Sequence, residues 1–135
     1  MFSHVTIGTN DLDRAAPFYD AVLSPLGIER LPGNFGKWVA WWRPAEGITL
    51  WIGQPFDGQP ANRGNGWMVA LAAPSRAAVD AAHAAALAVG GLDEGTPGPR
   101  PHSFAPHYYG AYVRDLDGNK LHFVHSGETR FLRRA

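Results

Sequence analysis

The chain has 135 residues, with 12 basic and 12 acidic side chains and no cysteine. That length fits one domain with a core of its own, and the balanced charge, without a run of one sign, removes the electrostatic footprint of a nucleic-acid or anionic-membrane partner. Disulfides, thiolate metal sites and cysteine nucleophiles are excluded, and with neither a basic leader nor an apolar run of membrane-spanning length the expectation is a soluble cytoplasmic protein.

Ser3 to Ile7 alternates, with Val5 and Ile7 on one face and His4 and Thr6 on the other, which predicts a half-buried strand. Asn10, Asp11 and Asp13 are N-cap candidates for a helix reaching about Leu23, with Ala15, Phe18, Tyr19 and Val22 at helical spacing. Pro17 argues for a start near Asp13, because proline is tolerated best in the first turn. Lys37 to Arg43, carrying Trp38, Trp41 and Trp42, reads as a strand, and Pro44 to Gly47 turns it into another, Ile48 to Ile52. Residues 54–66 are rich in turn formers and make an internal linker.

The pattern then repeats. Trp67 to Leu71 reads as a strand, and Pro74-Ser75 opens an alanine-rich helix that Gly90-Gly91 stops, with Val79, Ala82 and Ala86 inward and His83 partly exposed. Residues 95–107 read as a proline-rich loop carrying Arg100, His102 and His107. Tyr108 to Arg114 and Lys120 to His125 form a hairpin, because Asp117-Gly118-Asn119 between them tolerates positive φ. Asp115 and Asp117 are turn residues here, since the loop lacks the spaced oxygens of a calcium site. A period of two puts Leu121 and Phe123 on the core side of the last strand and His122 and Val124 on the other.

Laid over each other, the halves match: His4-Val5-Thr6-Ile7 falls on Met68-Val69-Ala70-Leu71, and Leu50-Trp51-Ile52 on Leu121-His122-Phe123. The aliphatics of each strand would then face a helix, while His4, Trp51, Met68 and His122 face away.

These residues, with Asp11-Leu12, Phe18-Tyr19, the helix start at Ala72 to Val79 and the turn Asp115 to Lys120, carry a resemblance to the vicinal oxygen chelate superfamily of glyoxalase I, bleomycin-resistance proteins and extradiol dioxygenases. The likeness spans about residues 3–126. It implies an α+β fold of two pseudo-symmetric βαβββ modules, about residues 1–56 and 64–127 of a single domain 1–135, forming an eight-stranded cup. Members act on small molecules, commonly as homodimers. Metal-using members often take a histidine from the first strand, where His4 stands, and another where this chain has Met68. They take a glutamate from the last strand, where His122 stands, and glyoxalase-type members add a carboxylate at the place of Trp51. The resemblance thus leaves His4 and His122 as candidate ligands for a divalent zinc, iron, nickel or manganese ion, with His122 also the candidate catalytic base. Two protein ligands hold a metal weakly unless His102, His107 or a substrate completes the shell.

Two functions fit. Placed first is a metal-assisted enzyme, a lyase, isomerase or dioxygenase acting in a histidine-lined cup. The alternative is a metal-free small-molecule binding or sequestering protein of the bleomycin-resistance type. In either, Trp51, Met68, His102, His107, Tyr108 and Tyr112 would contact the guest.

Overall fold

The computed structural model describes residues 1–100 and 107–127. Its first unit consists of β1 (His4–Gly8), α1 (Leu12–Leu23), a short 3-10 turn at Ser24–Leu26, β2 (Glu29–Arg30), β3 (Trp38–Trp42) and β4 (Thr49–Gly53). The second repeats it with β5 (Val69–Ala72), α2 (Arg76–Ala88), β6 (Leu92–Pro99), β7 (Tyr109–Arg114) and β8 (Lys120–His125). Each unit forms a four-stranded mixed sheet, ordered β1-β4-β3-β2 and β5-β8-β7-β6. In each, the pair that includes the first strand is parallel and the remaining pairs are antiparallel. The expected α+β fold of two βαβββ units is therefore present. Its internal repeat extends to register: Val5 pairs with Leu50 and Ile7 with Ile52, as Val69 pairs with Leu121 and Leu71 with Phe123.

Local chemistry starts both helices. The Asp11 carboxylate accepts from the Arg14 amide at 3.1 Å and the Ser75 hydroxyl from the Ala78 amide at 3.0 Å, satisfying N–H groups that the first turn leaves without partners. One face of each helix then enters a common core. Phe18, Tyr19, Val22 and Leu23 meet Ile7, Trp41, Leu50 and Ile52, while Val79, Ala82 and Ala86 meet Val113, Leu121 and Phe123. The alanines of α2 let it lie close against α1. Pro17 is not in the first turn; it is inside α1. A mid-helix proline costs about 3 kcal/mol, which burial of Phe18, Val22 and Leu23 at about 1.5–3 kcal/mol each offsets.

Four expectations need correction. The stretch read as a loop from residue 95 begins inside β6, an edge strand where Pro97 and Pro99 are tolerated because no further strand needs their N–H groups. β2 was not foreseen. Trp67 and Met68 precede β5 rather than starting it. His83 is buried, its Nε2 2.9 Å from Asp93 Oδ1. No helix among the described residues is long and apolar enough to cross a membrane.

The β7–β8 turn joins the units. Asp115, buried, accepts from the amides of Asp117 (2.9 Å) and Asn119 (2.8 Å), from Asn119 Nδ2 (2.9 Å) and from the Tyr19 hydroxyl of α1. Asp117 accepts from Thr9 Oγ1 (2.5 Å) and the Asn10 amide (2.9 Å), and Asn119 Nδ2 donates to the Gly8 carbonyl at 3.0 Å. Burial raises the Asp115 carboxyl pKa despite these donors, and burial together with the Asp115 charge raises the Tyr19 phenol well above its ordinary value.

Candidate functional site

With one face of each sheet committed to the core, alternation presents His4, Thr6, Trp38, Trp42 and Trp51 on the open face of the first sheet, and Tyr112, Arg114, Lys120 and His122 on that of the second. Rings lie flat here because neighbouring strands supply glycines. A Cβ at Gly53 would collide with the Trp38 ring, and one at Gly95 would stand 2.9 Å from Tyr112 Cδ2. At Gly110 it would collide with His122 Cε1 and stand 3.1 Å from the Phe123 carbonyl oxygen.

His122 is the centre of the second face. Its Nδ1 lies 2.9 Å from the Ala111 carbonyl and its Nε2 2.8 Å from the Tyr108 hydroxyl. A carbonyl only accepts, so Nδ1 carries the proton and the Nε2 lone pair accepts from Tyr108. Tyr112 stacks on the imidazole with centroids 4.0 Å apart and planes 9° apart, and Tyr108 lies 5.7 Å away at 20°. The two rings leave His122 with no exposed surface. Burial lowers its pKa, the Ala111 bond opposes that shift, and the Arg100 and Lys120 charges add to it. Burial also raises the Tyr108 phenol pKa, with the Tyr112 phenol adding to the shift and the Arg100 charge opposing it. The imidazole at this position is neutral and enclosed.

The other expected site residues are distributed over several elements. His4 is exposed on β1, its Nδ1 2.6 Å from Ser3 Oγ. Trp51 on β4 donates from Nε1 to Thr49 Oγ1 at 2.9 Å and meets Phe35 edge-on at 5.0 Å. His107 is exposed beside Tyr108, against Gly127. His102 lies outside the described residues. Met68 lines a cavity of about 610 Å³ between the free edges of β1 and β5, together with Val5, Thr6, Trp42, Trp67 and Leu71. That cavity includes neither His122 nor its tyrosines. His122 and Tyr108, both with shifted pKa values, stand at the second sheet beside Lys120 and Arg100, and we place the candidate site there.

Among the described residues no three His, Asp or Glu side chains converge as a metal site. The donor chemistry explains why. Of the four family positions, one holds an exposed imidazole, one a thioether and one an indole, and the fourth is an imidazole whose lone pair Tyr108 occupies. These residues do not fit a divalent ion.

Sequence reasoning passed over Lys120 and Gly110. Lys120 Nζ lies 5.1 Å and the Arg100 guanidinium 5.6 Å from the Tyr112 centroid. The period that placed His122 on the open face also places Lys120 there, two residues earlier, so its position was legible. Gly110 has meaning only across strands.

A model of the Glyoxalase/Bleomycin resistance protein/Dioxygenase superfamily matches residues 1–123. The chain is 42% identical to a glyoxalase/bleomycin resistance protein from Albidiferax ferrireducens T118, over 94% of its own length and 99% of the other, with a TM-score of 0.82. A glyoxalase-related enzyme from Fulvimarina pelagi has 19% identity, 97% coverage of both chains and a TM-score of 0.71. Lactoylglutathione lyase from Agrobacterium tumefaciens has 21% identity, with 93% of this chain and 92% of that one covered and a TM-score of 0.62; these two share the fold. No curated protein matches the sequence. The repeated βαβββ units, their registers and the match over nearly the whole chain identify this protein as a member of the glyoxalase/bleomycin resistance protein/dioxygenase superfamily.

Proposed function

We propose that the protein binds a small molecule without a metal, the guest lying against Tyr108 and Tyr112 on the open face of the second sheet. His107, exposed beside Tyr108, is a further contact, whereas Trp51 lies on the first sheet and Met68 at the β1–β5 cavity. The observation that carries this reading is the state of His122: neutral, hydrogen-bonded at both nitrogens and stacked under Tyr112, it forms part of a wall and offers neither a ligand lone pair nor an accessible base. Flat rings seated on glycine strands present π faces, which suit a flat guest. Metal analysis of protein purified without a polyhistidine tag tests the reading. Well under 0.1 equivalent of zinc, iron, nickel or manganese is expected, and a stoichiometric metal lost in His4→Ala would overturn it.

One observation favours the enzyme reading. The Nδ1–H donation to Ala111 fixes the tautomer that a metal ligand or general base requires. Turning Tyr108 aside would expose Nε2 and its lone pair. Tyr108→Phe separates the readings: metal uptake by the variant supports the enzyme, and none supports the binder. In either reading the chain works as a homodimer, with a second copy covering the free edges of β1 and β5.

A further inference from the structure

We propose that the open face of the second sheet selects an aromatic carboxylate, its ring on Tyr112 and Tyr108 and its anionic group held by Arg100 and Lys120. This rests on the small-molecule binding reading above and adds the charge of the guest.

The positions of the two cations carry the inference. Both lie within 6 Å of one ring, Lys120 Nζ at 5.1 Å and the Arg100 guanidinium at 5.6 Å from the Tyr112 centroid. Arg100 is held there by its own strand, donating to the carbonyls of Thr96 (2.8 Å), Gly98 (3.0 Å) and Pro99 (3.3 Å). Those acceptors are neutral, so they fix the guanidinium and leave its charge in place. β6 slips register between Asp93 and Gly95 and again between Gly95 and Gly98, the kind of irregularity that re-aims a strand end.

The local charge balance agrees. Among the described residues, ion pairs join Arg30 to Asp20, Arg43 to Glu46, His83 to Asp93 and Arg114 to Glu94, and neither Arg100 nor Lys120 belongs to one. Glu94 is held by Arg114 at 2.7 Å, a bond that lowers its pKa, and the Arg114, Lys120 and Arg63 charges lower it further. The two cations also depress the His122 pKa, so their field reaches the floor under the rings. His122, as a neutral ring, adds no charge of its own. A carboxylate here would gain charge-assisted contacts with the cations that flank the Tyr112 ring. The β1–β5 cavity differs: its one cation, Arg43, already pairs with Glu46 and donates to the carbonyls of Leu26 and Ala72.

Three probes of one shape test the charge: 1-naphthoate, 1-naphthalenemethanol and 1-naphthylmethylamine, titrated into the full chain and followed by amide chemical shifts. The carboxylate is expected to bind at least tenfold more tightly than the alcohol, with the amine weakest, and with shifts centred on Tyr108 to Tyr112 and Lys120 to Val124. Lys120→Gln, a half-exposed position outside the core, should reduce the tenfold gap to less than threefold, and Arg100→Gln should do the same if it folds. The gap should also shrink in high salt. Equal binding of carboxylate and alcohol, both lost in Tyr112→Ala, overturns the charge assignment and leaves the binding reading standing. No binding of any probe also overturns the assignment, while the binding reading itself is decided by the metal content of the tag-free protein and of Tyr108→Phe.

Discussion

A methyl group added at Gly110 would run into the His122 ring and the Phe123 carbonyl, neither of which is free to give way inside a paired strand. Gly110→Ala is therefore expected to destabilise the fold by about 1–3 kcal/mol, the usual cost of overpacking, even though alanine is better suited to a strand than glycine. Urea denaturation measures it, and an unchanged midpoint would show that the imidazole does not rest on this glycine. His122 allows a second test at the same scale. Its native pKa is held below the value near 6.5 expected of an unfolded chain, mainly by burial. The unfolded state thus takes up a proton before the native state does. The stability that the neutral ring contributes is complete above about pH 6.5 and is lost as pH falls from there through the lowered native pKa. An NMR titration of the ring proton should give a midpoint below 6.5. Tyr108→Phe, by removing the hydroxyl that donates to Nε2, should move it upward.

Between elements, the β7–β8 turn and α1 behave as one piece. Asp115→Ala removes the acceptor shared by Tyr19 and Asn119 and should cost about 2–4 kcal/mol, since each buried donor left without a partner carries a penalty of about 1–3 kcal/mol. Tyr19→Phe deletes one donor and leaves Asp115 with three, so about 1–2 kcal/mol is expected. A double-mutant cycle should find the two changes strongly non-additive; simple additivity would dissolve the proposed link. The elements themselves were mostly legible. β1, β4, α1 and α2 carry a period of 2 or 3.6 that burial follows, while β3 is marked by its tryptophans and the closing hairpin by its Asp-Gly-Asn turn. β2 spans two residues and is too short to show a period. β6 is written in glycine and proline, the punctuation of loops, and is a strand only because β7 lies beside it. The site was less legible for the same reason. Alternation correctly turned His122 away from the helices, yet it could not show that Tyr108 and Tyr112, from the neighbouring strand and its lead-in, close over the ring.

At the scale of the molecule, the edges of β1 and β5 expose apolar side chains around one cavity. Phe2, Ile48 and Met68 line the cavity between them with relative exposures of 63%, 44% and 43%, and unpaired strand edges invite pairing with another chain. Light scattering at micromolar concentration should report a particle twice the 14.6 kDa of the chain. Ala70→Lys, which places a charge at the exposed β5 edge, should shift it toward monomer by tenfold or more in dissociation constant.

The contacts that join the two units also set a schedule for making the protein. Tyr19 reaches its acceptor 96 positions later, Thr9 reaches Asp117 after 108, and the Gly8 carbonyl meets Asn119 after 111. Synthesis proceeds at about 5–20 residues per second, so the first unit, which ends at Gly53, emerges roughly 3–12 s before the turn that completes it exists. During that interval Tyr19 has no carboxylate, and the apolar face of α1 has no α2 to cover it. The N-terminal half must wait, partly formed and with core surface open, for the last hairpin to arrive, and a nascent chain stalled before residue 115 should be a much better chaperone client than one stalled after the turn has cleared the ribosome.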